Sequence, residues 1–301
     1  MSKPFDFEKI AINIKCLSIF DKKKRKLVRS AHYKALKSKR AALAAREHTW
    51  GISYSAFDGE EILEASIRSI RREADYINVV YQTESWYGDP AGENLMPCLY
   101  DLRDKGLIDE LIEYTVDPEK SPSDNESAKR NLGLRHARER GCDFFTTMDC
   151  DECWIADEVA AAKAHICEHD ITHSYCPQVM YAERPTIRYL NHTMGFAPFF
   201  SKIDDNSVLG KANPNVPCSI DPTKRLNHFD GAKYMVHHLV WLHHMYGVRK
   251  DISKKVKNSS YLDGLHRNRS YSPPGSDLPD NRIAVPDLFG LTELLNRRND
   301  S

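Results

Sequence analysis

Two carboxylates one residue apart, Asp149 and Asp151, follow directly on the compact apolar run Cys142-Asp-Phe-Phe-Thr-Thr-Met148, and they form the only D-x-D of the chain. Just past a buried strand end, such a pair offers hard oxygen ligands to Mn2+ or Mg2+, and a bound nucleotide's diphosphate would complete the shell. The alternative is structural, with Asp151 capping a helix. A second group of chemically able residues comes late: His237-His238 and His243-His244, then Val248-Arg249-Lys250-Asp251. Imidazoles can join oxygens around a manganese-like ion, and adjacent cations offset diphosphate charge. Taken singly, each of these histidines also suits a merely structural place.

The elements needed to position Asp149 are written upstream of it. Trp50-Gly-Ile-Ser-Tyr-Ser55 predicts a strand that ends in a polar turn, Ala56-Phe57-Asp58-Gly59. A helix should follow, with Leu63, Ile67, Ile70 and Ala74 on one face. Tyr76 to Tyr81 is β-branched and aromatic, as strands are. A helix over 94–105 and a strand over 111–115 come next. Ser123 and Glu126 form a capping-box pattern heading a helix to about Arg140, and Gly141 stands where a left-handed cap would be. Alternating strands and helices predict a parallel α/β sheet covered on both faces, with its ligand beyond the carboxyl ends of the strands. That edge would gather Ser55, Glu84 and Asp149. Past residue 170, strand-like pieces are expected near 174–182 and 186–189, and a loop-like tail at 272–279.

The 301 residues include 41% hydrophobic and 29% charged side chains, with 43 basic and 43 acidic residues, so global charge names no partner. The charge is unevenly spread. From Asp21 to Arg46 the chain is rich in lysine and arginine and has few acids, which predicts a basic helical segment able to lie on an anionic membrane or a phosphate-rich ligand. A plain solvated face is the alternative. No run approaches the ~20 apolar residues that span a bilayer, and the N-terminus lacks the pattern of a secretory signal. Eight scattered cysteines in a chain of this length suit reduced thiols. These features predict a cytoplasmic protein, peripheral to the inner face of a membrane.

Lys129-Arg-Asn-Leu-Gly-Leu134, Ala137, Gly141 and the strand into Met148-Asp-Cys-Asp-Glu152 resemble the central block of family-two glycosyltransferases with the GT-A fold. The opening strand with Ser55 and the helix from Glu60 extend the resemblance over residues 49–155. It implies a GT-A-like nucleotide-binding sheet and transfer of a sugar from a nucleotide-sugar donor to a saccharide or lipid-linked glycan, as in bacterial surface-polysaccharide synthesis. By resemblance, Ser55 and Glu84 lie near the nucleoside, Arg130 approaches the nucleotide, and Asp149 and Asp151 take the metal and diphosphate. The acidic pair usual after the second strand is replaced by Tyr81-Gln-Thr-Glu84. A late histidine returns to the metal in similar enzymes, a role that falls to His244, then His243, with Arg249 and Lys250 at the diphosphate. Inverting transfer needs a carboxylate to take the acceptor hydroxyl's proton. Asp230 is the first candidate and Glu183 the second.

Three domains of organisation follow: 1–48 as a basic helical segment, 49–270 as the GT-A-like domain, and 271–301 as an extension. Two other classes compete. Cys150-x-x-Cys153 with Cys167, Cys176 and nearby histidines has the ligand types of a zinc module, although the spacings fit no common pattern. A nucleic-acid-binding arm could use the basic segment, but no nucleic-acid fold signature accompanies it, so no nucleic-acid partner is expected. A sugar nucleotidyltransferase would open with a glycine-rich basic loop, which Ser55-Ala-Phe-Asp-Gly59 is not.

Overall fold

The structure, a computed structural model, describes residues 22–181, 184–210, 213–218, 226–228, 236–239 and 282–293. Four parallel strands form one half of its main sheet: β1 (Trp50–Ala56), β2 (Tyr76–Tyr81), β3 (Glu110–Glu113) and β4 (Phe144–Asp149), in the order β3-β2-β1-β4. Between them run α2 (Glu60–Ile70), α3 (Leu95–Asp104) and α4 (Pro122–Glu139). The second half is mixed. The long strand β7 (Ile187–Lys202) pairs antiparallel with β4 and with β6 (His173–Tyr181). Next to β6 stands β11 (Val236–His238), which pairs antiparallel with the two-residue β5 (Glu152–Cys153). The expectation of a parallel sheet therefore holds up to residue 149, and the pairing reverses beyond it.

Strand β1 shows why both faces carry helices. Trp50, Ile52 and Tyr54 point into a large apolar core with Leu63, Ile67, Leu99 and Ile166. The alternate residues are small: Gly51 faces Cys142 and Ala137, and Ser53 faces Gly133. A period of two thus assigns the bulky side chains to one face and leaves the other flat enough for α4 to sit close. Asn78 on β2 donates its amide to Gly133 O at 3.0 Å, which pins the backbone of α4 to the sheet.

Helix α4 begins two residues earlier than the capping box predicts. Ser121 is the N-cap, its hydroxyl accepting from Asp124 N, and Pro122 takes the first helical position. Proline there costs no hydrogen bond and presets φ, so it outcompetes the Ser123 signal. The C-terminus matches the glycine signal. Gly141 has φ +75°, and Gly141 N and Cys142 N reach Arg138 O and Ala137 O, the paired bonds of a Schellman end.

The basic segment is helix α1 (Lys22–Arg46), laid against α5 (Ala156–His169). Ala41 and Ala45 are buried, Trp50 Nε1 donates to Ala45 O at 2.8 Å, and Lys37 pairs with Glu168. Its other side keeps Lys23, Lys26, Lys34 and Lys39 in solvent, along with Leu27 and Leu43. Among the described residues no helix is long and apolar enough to cross a membrane.

Candidate functional site

The carboxyl ends of β1, β2 and β4 converge on a cavity of about 260 Å³. Register places Ser55 beside Asp149 on β4 and beside Val80 on β2. The walls are Ser55, Phe57 and Asp58 after β1, Gln82 with Ser85, Trp86 and Tyr87 after β2, Glu126 with Lys129 and Arg130 on α4, and Asp149 with Cys150 after β4.

At its floor lies a charged cluster. The Arg130 guanidinium is buried and donates from Nη2 to Asp149 Oδ1 at 2.8 Å and to Glu126 Oε1 at 3.0 Å. Although burial opposes its charge, Asp149 and Glu126 together hold it firmly protonated. The Asp149 side chain stays 43% exposed, so its carboxylate meets both the arginine and the cavity. Lys129, the preceding residue, is also buried, and its ammonium donates to Ala56 O at 2.7 Å.

A braced loop supplies the aromatic wall. Ser85 Oγ accepts from Tyr87 N and Asp89 N, Ser85 N donates to Asp89 O, and Gly88 adopts φ +84°. This holds Trp86 against Tyr114, with the Lys129 ammonium 5.7 Å from the Trp86 ring centre. Gln82 is buried at 1% exposure beside this loop. Its Nε2 donates to Glu84 O, while its Oε1 has no partner among the described residues.

The structure therefore brings Ser55, Arg130 and Asp149 to one cavity. Glu84 is exposed outside the cavity lining, because the loop turns back at Ser85 and offers Gln82, Ser85, Trp86 and Tyr87 instead. Asp151 is buried at 2% exposure and also lies outside the lining. The turn after Asp149 drives this: Glu152 Oε2 accepts Asp149 N, and β5 then pairs with β11, so Leu239 N donates to Asp151 O at 2.8 Å. Glu183, Asp230, His243, His244, Arg249 and Lys250 lie outside the described residues. Sequence reasoning assigned no site role to Gln82, Trp86, Glu126 or Lys129, although Lys129 opens the block to Leu134 that carries the resemblance.

The zinc alternative does not fit. Zinc needs three or four thiolate or imidazole ligands gathered around one point. Cys150 Sγ donates to Ser55 O at 3.5 Å. Among the described residues no three His, Cys, Asp or Glu side chains are grouped to hold a metal ion. A hard cation is a different case, since one carboxylate with substrate phosphates can suffice for magnesium. Asp149, open to the cavity, fits that donor set. Residues 236–238 are a strand, and His237 is buried with Nδ1 2.8 Å from Tyr181 OH, a structural place.

No protein-family model matches the chain, and no curated protein matches it. Among solved structures it is similar to TarS of S. aureus, with 14% identity over 74% of this chain and 44% of that one, at a TM-score of 0.42. Residues 1–349 of TarS in complex with UDP give 13% identity over 73% and 69%, at 0.42. Glucosyl-3-phosphoglycerate synthase from Mycobacterium tuberculosis, in complex with Mn2+, UDP and glucosyl-3-phosphoglycerate, gives 14% identity over 50% of each chain, at 0.32. The chain thus spans less than half the length of the first of these TarS chains.

Proposed function

We propose that the chain is a glycosyltransferase that binds a nucleotide-sugar donor in this cavity and passes the sugar to a saccharide or lipid-linked glycan. One observation carries the reading. A single cavity at the carboxyl edge of a parallel sheet unites an aromatic wall, an open buried acceptor on Gln82, two buried cations and an exposed carboxylate. A nucleoside diphosphate needs those features together: a ring for the base to stack on, an acceptor for a base N–H, and charge for the phosphates.

In this reading Trp86 and Gln82 hold the base, and Ser55 stands near the nucleoside. Asp149 would hold Mg2+ or Mn2+, which when bound neutralises charge on the departing diphosphate. Arg130 fixes the direction of the Asp149 carboxylate by accepting no alternative geometry: its guanidinium is clamped from the other side by Glu126. Asp151 then supports the turn rather than contacting the ion. His243 or His244, with Arg249 and Lys250, would close the donor site from the segment after β11. The Leu239–Asp151 bond supports this, because it ties that segment's start to the turn following Asp149. Asp230 or Glu183 would take the acceptor proton in an inverting reaction.

A thermal-shift screen of UDP-, GDP- and ADP-sugars tests the reading. Saturation at ~100 times Kd adds about 2.7 kcal/mol, or roughly 4 °C for a chain of this size. The cognate donor is expected to give such a rise with Mg2+ or Mn2+ and a smaller one in chelator. If no nucleotide sugar moves the transition, the reading fails.

We further propose that α1 docks on an anionic membrane, where a lipid-linked acceptor resides. Each basic residue near such a surface contributes about 1 kcal/mol, and salt weakens it. Changing Lys23, Lys26, Lys34 and Lys39 to glutamine should weaken co-sedimentation with phosphatidylserine vesicles by on the order of 100-fold or more. Their exposure leaves the packing of Ala41 and Ala45 untouched. Undiminished sedimentation of that variant would remove the membrane role.

A further inference from the structure

Adjacent on α4, Lys129 and Arg130 are both buried at the cavity, yet their charges are treated differently. Arg130 has two carboxylates within 3.0 Å. Lys129 has none at salt-bridge distance among the described residues. An ammonium carries three N–H donors, and the one hydrogen bond it makes there goes to Ala56 O, a neutral carbonyl. Trp86 covers it at 5.7 Å, an attraction that suits a cation but supplies no hydrogen-bond acceptor in the plane of those donors.

The surroundings of Lys129 come from every side of the cavity. Arg130 on its own helix repels its charge, while Asp149 on β4 and Asp58 after β1 attract it. The Cys150 thiol, held protonated by burial, brings no charge. Desolvation dominates and pulls the lysine down to about 7. A buried cation with unused donors is costly unless something anionic arrives.

We propose that Lys129 is the cation held in reserve for the donor diphosphate: phosphoryl oxygens occupy its two unused N–H groups, and binding draws a proton onto it. This rests on the nucleotide reading above and extends it to the specific residue and its charge state. The sign follows from the lowered pKa. Below about pH 7 the ammonium is already present in the free protein, whereas above it binding must first restore the proton. Affinity should therefore fall as pH rises through that value, by about tenfold per unit once the free lysine is neutral.

Isothermal titration with UDP-glucose, GDP-mannose and ADP-glucose, at saturating Mg2+ and in buffers of different ionisation enthalpy, reads the proton directly. These diphosphate diesters do not themselves titrate near neutrality. The tightest binder is expected to take up about half a proton at pH 7 and close to one at pH 8. Lys129→Arg, a cation that does not titrate, should bind without uptake and with a flat pH profile. Lys129→Met should bind roughly 10–100-fold more weakly, also without uptake. Circular dichroism confirms that each variant folds, and either one alone suffices. Tight native binding with no uptake, or uptake that persists in a folded variant, overturns the role of Lys129 and leaves the nucleotide reading standing. Binding of none of the three overturns both.

Discussion

Asp149→Asn is expected to lower turnover by about 100–1000-fold while leaving the fold in place. The two effects separate because Asp149 has two tasks. Its Oδ1 accepts from the buried Arg130 guanidinium, and an asparagine carbonyl oxygen can still accept that bond. Its negative charge, by contrast, is what a divalent cation and the cavity floor require, and the amide removes it. Asp149→Ala removes both. Arg130 then keeps Glu126 alone, and a half-neutralised buried cation destabilises the chain. Breaking a fully buried pair costs about 3–5 kcal/mol, but Asp149 is 43% exposed, so solvent screening reduces the expectation to about 1–2 kcal/mol. Donor turnover against Mn2+ concentration, with urea unfolding of both variants, distinguishes the tasks. An asparagine variant with native turnover and native metal dependence would show that Asp149 serves the fold alone.

Asp149 was legible because its signal is local. An apolar strand that stops abruptly in acids sits at a sheet edge whatever the rest of the chain does, and the register with Ser55 follows from parallel pairing. Asp151 was not legible in the same way. Whether the second carboxylate of a D-x-D faces the cavity depends on β11, a strand more than eighty residues later that pairs with β5, and on Leu239 just after it, whose N–H donates to the Asp151 carbonyl. Pairing at that separation leaves no mark in the local pattern. Glu84 failed for a nearer reason: its loop is closed by Ser85 side-chain bonds, and the turn passes the cavity to Gln82 and Trp86.

The basic pair on α4 shows the limit of composition. A lysine beside an arginine on a helix is ordinarily solvated, and by composition alone Lys129-Arg130 does not differ from Arg138 on the last turn or Arg140 just past it, so that only the resemblance set Arg130 apart. Burial arises because the first half of α4 packs where β1 and β2 end, so its side chains reach over the sheet edge. The Ser121 cap, on the other hand, was written in the sequence. Ser-Pro ahead of a helix is a stronger start signal than a serine at its second position. The reversal to antiparallel pairing at β7 is again long-range, since it sets Phe144 against Lys202 and Phe145 against Ser201, more than fifty residues apart.

Gly133→Ala should have the largest effect on stability of any single methyl added to α4. A Cβ at Gly133 would lie 1.9 Å from Ser53 Oγ and 2.8 Å from Ser53 Cβ, with Asn78 Oδ1 at 3.1 Å. Hydroxyl rotation relieves the first contact, but Ser53 Cβ is fixed to a central strand paired on both sides. The helix must therefore retreat, and overpacking of this kind costs about 3 kcal/mol. Retreat also disturbs the site, because Lys129 and Arg130 lie one turn earlier on the same helix and reach the cavity from it. Turnover should fall by at least about tenfold even where the protein stays folded, as a misplacement of ångström scale would cause. The collision predicts its own rescue. Ser53→Ala in the Gly133→Ala background removes the nearest atom and should recover part of the loss. Ser53→Gly removes both atoms and should recover most of it, less the roughly 1 kcal/mol that glycine costs within a strand. Urea unfolding of the two single variants and the double variant gives the coupling energy, which should be favourable by at least about 1 kcal/mol. Strict additivity would mean that the helix and strand are not in contact at this point, and that α4 reaches the cavity along a different line.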